Sequence, residues 1–309
     1  MRSRFASFGS VLFSCLFLAL VVGCPKQPGE TDAPPDDALR GVNRHATNAD
    51  PMVLPLEPVT GETSFLHATG SGKIGAAAED LSFPPVSDLI AQAEEYLTKI
   101  GRALDDLDGT RNYQRDSDHV VRDAHALALV ALSIGLCPED SKLKKASPKI
   151  IKAAKALAAV ESYADAKKNY DILKEASTDE GDPQTLVWSN GPALGPAMKA
   201  VPNLDSTIKR LSSNEARMKR EKNITRITGP LAGLAAIAQG CMSSVKETIK
   251  PDAEAEWIKE SILFRNAAIK ANAAAHAFAE GKSDYAAYSA AYEELSATCE
   301  TCHAVFHPQ

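Results

Sequence analysis

The segment Cys299-Glu300-Thr301-Cys302-His303 is where residue types and spacing read most directly as chemistry in this 309-residue chain. Two thiols three residues apart on a helical turn point the same way. They can add to the two vinyl groups of a single haem. His303, next in the chain, then presents an imidazole to the iron from the same side. The expectation is one covalent haem c, held by Cys299, Cys302 and His303, with His303 as metal ligand. Three other readings use the same residues. A thioredoxin-type CxxC needs a strand-to-helix turn in a βαβ setting, and no such setting is visible. A zinc site needs a fourth ligand, for which His307 is the nearby candidate. A plain Cys299–Cys302 disulfide is the bland alternative.

Only six residues follow His303. The walls around such a group are therefore expected from upstream segments, and these read as helices. Alanine recurs in runs such as 271–275 and aromatics make up 6%, a balance that suits close-packed helices better than sheet. Ile90, Ala93, Leu97, Ile100, Leu104 and Leu107 form a stripe at spacings of three and four, which predicts one buried helix face. Further helices are expected from about Asp118 to Leu136, Pro148 to Ala164 and Ala166 to Ala176, with a linker from Thr178 to Pro183.

The pattern then recurs. Leu194, Met198, Val201, Leu204, Ile208 and Leu211 repeat the first stripe about 104 residues later. The runs Leu231–Cys241 and Ala126–Cys137 match in composition and in their terminal Cys, and Tyr163–Tyr170 echoes Phe278–Tyr285. These matches predict two tandem helical units, 86–180 and 186–307. Pro202 and Pro230 are expected to kink or shorten the first two helices of the second. Cys137 and Cys241, at equivalent helix ends, are expected as separately buried thiols.

The amino terminus reads as an address. Arg2 and Arg4 precede an apolar run, Val11 to Val22, too short and wrongly flanked for a spanning helix. Its end, Val21-Val22-Gly23-Cys24, resembles the lipobox of bacterial lipoproteins, which implies cleavage after residue 23 and lipidation of Cys24. The chain would then be exported to the periplasm and anchored to a membrane. Residues 24–85 follow as a disordered tether, holding nine of the eighteen prolines and no sustained apolar period. Net charge is −6 and no Lys/Arg block occurs, so no nucleic-acid partner is expected.

Residues of about 190–307 resemble the class II cytochromes c, the cytochrome c′ family, through CxxCH near the carboxyl end, Phe306 three residues after the ligand His, and Ala255-Glu256-Trp257-Ile258 followed by Phe264. Where that family commonly carries Arg after the aromatic, this chain has His307. The resemblance implies an antiparallel four-helix bundle, thioether links at Cys299 and Cys302, and His303 as the proximal ligand. It also implies a distal face covered by the bundle's first helix, where Met198 occupies the stripe position and is the candidate sixth ligand; Met218 and Met242 are alternatives near the second helix's ends, and core filling is the bland reading of Met198.

The first unit has no CxxCH, and Ala176–Asp179 stands where it would fall. That unit is expected to be a haem-free bundle, with His119 and His125 as surface or core residues, and His276 in the second unit likewise structural. The whole is expected to be an all-α chain of two tandem four-helix bundles. Its expected function is electron transfer with a periplasmic or membrane redox partner, a non-enzymatic role, with a homodimer among the assemblies considered. Two alternatives are binding of small gases at an open iron position, and an interaction protein stabilised by its haem.

Overall fold

The computed structural model describes residues 83–105, 109–179, 186–247 and 252–306. The signal segment, Cys24, the tether up to residue 82, Leu107 and His307 lie outside the described residues. All described residues belong to one compact unit. They are helical, with no strand among them.

The principal helices are α1 (Val86–Asp105), α2 (Gly109–Leu136), α3 (Lys142–Ala158) and α4 (Tyr163–Thr178), then α5 (Leu194–Met198), α6 (Val201–Leu211), α7 (Glu215–Met218), α8 (Glu221–Ser243), α9 (Glu254–Ala279) and α10 (Tyr285–Phe306). Helices α1 to α4 each pack on the next, and α4 also touches α1; α6 packs on α8, α8 on α9, and α9 on α10. Helix α8 also packs against α1 and α2, so one buried core runs through both halves. The apolar stretch Ser117–Leu136 of α2 is two-thirds buried there and is long and apolar enough to cross a membrane. A core helix passes the same test.

Helix starts depart from the sequence expectation for identifiable reasons. Helix α2 begins at Gly109 rather than Asp118, because its polar first turns carry no stripe yet bury Tyr113, whose hydroxyl donates to the Val160 carbonyl at 3.0 Å. Helix α3 begins six residues before Pro148: Ser141 caps it, its hydroxyl accepting from the Lys144 N–H at 3.1 Å. Helix α4 begins at Tyr163 after a Ser162 cap that accepts from the Asp165 N–H at 3.1 Å. Pro202 does break the stripe helix into α5 and α6, at whose start it sits. Pro230 lies inside α8, which continues unbroken to Ser243.

The buried stripe of α1 is Leu89, Ala93, Tyr96, Ile100 and Leu104, while Ile90 and Leu97 are only half-buried at its flank. The same face buries two polar residues, Asp88 and Gln92. Asp88 accepts from the Thr228 hydroxyl of α8 at 2.9 Å and from the Asn272 amide of α9 at 2.9 Å. The His276 ring lies 2.7 Å from the same carboxylate, so His276 has the structural role expected of it.

Tyrosines tie the last helix of each half to an earlier one. Tyr163 donates to the Leu104 carbonyl at 2.7 Å and Tyr170 to the Leu97 carbonyl at 3.3 Å. Tyr285 donates to the Ser212 carbonyl at 2.7 Å, and Tyr292 to the Asp205 carboxylate.

Candidate functional site

Cys299, Cys302 and His303 lie on α10 and line one wall of a cavity of about 320 Å³. The other walls are Met198 and Lys199 at the end of α5, Val201 and Pro202 at the start of α6, and Phe264 of α9. The break that Pro202 imposes therefore lies at the cavity, where two short helices replace one continuous wall. The lining is mostly apolar, with few polar groups, as is usual for cofactor sites.

Both thiols are half-buried. Burial pushes the Cys302 thiol up to about 11, and the nearby Glu260 carboxylate and Cys299 add to the effect. Burial also raises Cys299, helped by Asp205 and partly offset by Lys209. The Cys299 Sγ donates weakly to the Leu295 carbonyl at 3.9 Å, one turn back. Burial therefore favours the protonated form of both thiols. His303 is exposed on the same helix face region, one residue past Cys302.

Met198 forms part of the α5 wall of this cavity. Its Sδ lies 3.9 Å from the Sγ of Cys241 on α8. Below it a small second core joins Leu194, Cys241, Trp257 and Phe306. Trp257 donates its indole N–H to the Cys241 carbonyl at 2.6 Å and meets Phe306 edge-on at 5.0 Å. The flagged Trp257 and Phe306 thus close one end of α8, α9 and α10 together. Cys137 and Cys241 are each buried and not joined by a disulfide.

The structure therefore brings Cys299, Cys302, His303 and Met198 to one cavity, while Cys24 lies outside the described residues. Sequence reasoning missed Glu260. Its side chain is buried, with Oε2 lacking a hydrogen bond and Oε1 4.0 Å from Lys259 Nζ. Its place one turn after Trp257 was the available signal. Among the described residues no three His, Cys, Asp or Glu side chains group as a metal site.

The fold and cavity define an all-α protein with a paired-thiol and imidazole wall. No family model, curated protein or solved structure matches the chain.

Proposed function

We propose that this chain is an exported c-type cytochrome carrying one covalent haem, and that it transfers electrons. The observation that carries the reading is the shared cavity: two half-buried thiols and an imidazole on one wall, with a thioether on another. Cys299 and Cys302 would each add S–H across a vinyl group, and His303 would hold the iron. Phe264, Val201 and Pro202 supply apolar wall on the other sides. The group, when bound, supplies a one-electron redox change. The all-helical setting supports this over a thioredoxin-type CxxC, which sits at a strand-to-helix turn.

The finer architecture belongs to the same reading. Tyr163 and Tyr170 are seven apart, as are Tyr285 and Tyr292, and their acceptors at 104 and 97 parallel those at 212 and 205. This supports two tandem four-helix units, the first without haem, following a Pro-rich tether. Lipidation at Cys24 would anchor the protein to a periplasmic membrane face, within reach of a redox partner.

Gas binding at an open iron position is the second reading. One observation favours it: the Met198 sulfur engages the Cys241 thiol, which draws it toward α8. Expression of the full chain in cells that make c-type cytochromes tests the primary claim. We expect one haem per chain, retained after denaturation, and lost from a Cys299→Ala/Cys302→Ala variant. Two haems, or none, would overturn it. Reversible titration with a soluble electron donor separates electron transfer from a purely structural haem.

A further inference from the structure

Helix α3 bears a row of lysines. Lys142, Lys144, Lys145, Lys149, Lys152 and Lys155 stand on it with no Asp, Glu or Arg among them, in a protein whose net charge is −6. All but Lys144 follow at spacings of three, four, three and three, which sets them on one side of the helix. The other side is buried, through Ala146, Ile150, Ala153, Ala154 and Leu157, where α3 packs on α2 and α4. Lys142, Lys145, Lys152 and Lys155 are exposed. Lys149 reaches the Asp179 carboxylate at the end of α4. From Lys142 to Lys155 the row covers about 20 Å of helix axis. None of these lysines lines the cavity of the cysteines.

Such a row is costly in the protein alone. Like charges three and four residues apart on a helix repel, and α3 holds no carboxylate of its own to offset them. An anionic surface laid along the row would replace that repulsion with attraction. A second observation lies beside it. Ile172 of α4 is 46% exposed, which is unusual for a large apolar side chain in this protein. It stands seven residues before Asp179 and so on the same side of α4, and Asp179 is the residue that reaches α3. An exposed isoleucine thus borders the ammonium groups, the combination that lets a helix lie in a lipid head-group layer.

The chemistry selects lipid over protein as the occupant. Lysines are compact charges on flexible stems and fit a fluid surface of no fixed geometry. Helix α3 has neither the arginine forks nor the aromatic anchors on which protein interfaces centre. The proposed lipid attachment at Cys24 also stands about 60 residues before α1, a connection that would keep α3 near a membrane at high effective concentration.

We propose that α3 is a membrane-docking face. Its lysine row lies on an anionic phospholipid surface, Ile172 enters the head-group layer, and the first half thereby fixes how the protein stands on the membrane. The contact needs no haem. Its setting rests on the anchored reading of Cys24, and the two are tested apart.

The full-length protein is mixed with vesicles of phosphatidylcholine alone, or of phosphatidylcholine and phosphatidylglycerol in equal parts. Its amines are then briefly acetylated and mapped by peptide mass spectrometry. Sedimentation with the neutral vesicles, and its loss in Cys24→Ser, reports the anchor. Slower acetylation on the anionic vesicles reports α3, with or without an anchor. We expect Lys142, Lys145, Lys152 and Lys155 to react several-fold more slowly on the anionic vesicles only. The exposed Lys219, Lys259 and Lys282 should be unchanged, and the protection should fall as salt rises. Each lysine at such a surface contributes roughly fivefold to binding. A Lys142→Gln/Lys145→Gln/Lys152→Gln variant should therefore lose on the order of a hundredfold and leave Lys155 unprotected. The same three positions changed to Arg should keep Lys155 protected. Equal acetylation of α3 on the two kinds of vesicle would overturn the proposal. So would protection shared evenly by Lys219, Lys259 and Lys282, or protection that survives in the Gln variant. Protection by polyglutamate and not by vesicles would also overturn it, and would assign the row to an acidic protein.

Discussion

Asp88 is the residue whose replacement should most loosen the junction between the two halves. It stands in the first turn of α1, 5% exposed, and its two oxygens meet Thr228 of α8 with Asn272 and His276 of α9. In Asp88→Ala the Thr228 hydroxyl, 1% exposed, is left without an acceptor, at a cost of about 1–3 kcal/mol. Asn272 loses one bond but keeps the Thr228 carbonyl at 3.0 Å. His276 has a side chain 35% exposed, so water replaces much of what it loses. Breaking a buried charged network by removing one partner typically costs about 3–5 kcal/mol. With the His276 part discounted, about 3 kcal/mol is expected. Asp88→Asn separates hydrogen bonding from packing. Its shape is unchanged, but the acceptor loses its charge and the amide nitrogen must face Thr228, whose hydroxyl then turns from donor to acceptor, so a smaller loss of about 1–2 kcal/mol is expected. Urea unfolding followed by far-ultraviolet circular dichroism gives both values. In a double-mutant cycle Thr228→Val should recover part of the loss only in the Asp88→Ala background. An Asp88→Asn protein as stable as wild type would refute the reasoning, since volume alone would then explain the site.

Two further outcomes follow from the cavity and the buried thiols. Under the proposed haem reading with Met198 as sixth ligand, Met198→Ala should convert a low-spin reduced spectrum with slow carbon monoxide binding into a high-spin one with fast binding; wild type already high-spin and unchanged by the substitution would favour the gas-binding reading. For Cys137, burial raises the thiol from 9.0 to about 11, with Glu139 adding and Lys144 opposing. The folded state therefore holds the proton more tightly, so this stability is full below pH 9 and is lost as pH rises toward 11. Alkaline unfolding should come later in Cys137→Ala, by up to about 2 kcal/mol at pH 11, and equal curves for the two proteins would contradict the assignment.

How far the fold could be read from the chain depended on whether a helix shows one apolar face to one neighbour. The stripe of α6 did so, and Leu204, Ile208 and Leu211 are buried as the spacing predicts. Helix α1 packs against α2, α4 and α8 at once, which shifts its buried face toward Leu89, Gln92 and Tyr96. Nothing in a hydrophobic pattern marks Asp88 or Gln92 as interior, because Asp88 is held by partners 140 or more residues away and Gln92 packs on Gly229 and Gly233 of α8. Helix starts were hidden for a related reason. The caps at Ser141 and Ser162 precede polar first turns with no period to detect.

The candidate site divides the same way. Cys299, Cys302 and His303 were legible because their relation is local, fixed by helix geometry alone. Met198 was reachable through its stripe, but its contact with Cys241 joins α5 to α8 and has no local trace. Glu260 acts on Cys302 from α9 to α10, a relation that its place one turn after Trp257 hints at but does not specify. Under the proposed tandem reading, the tyrosine ties favour a register other than the echo of Tyr163–Tyr170 in Phe278–Tyr285. Tyr163 aligns with Tyr285 rather than with Phe278, and Tyr170 with Tyr292, an offset of 122 residues. Carried along α10, that offset sets Ser177 against Cys299 and Glu180 against Cys302. The first half therefore keeps the packing ties of the second while lacking both thiols. Its tyrosines reach the Leu104 and Leu97 carbonyls of α1, so backbone acceptors help hold that helix arrangement. Under the proposed reading, the tyrosines that tie α10 down and the thiols that would attach a cofactor are different residues of that helix, so the ties of Tyr163 and Tyr170 need no thiols beside them.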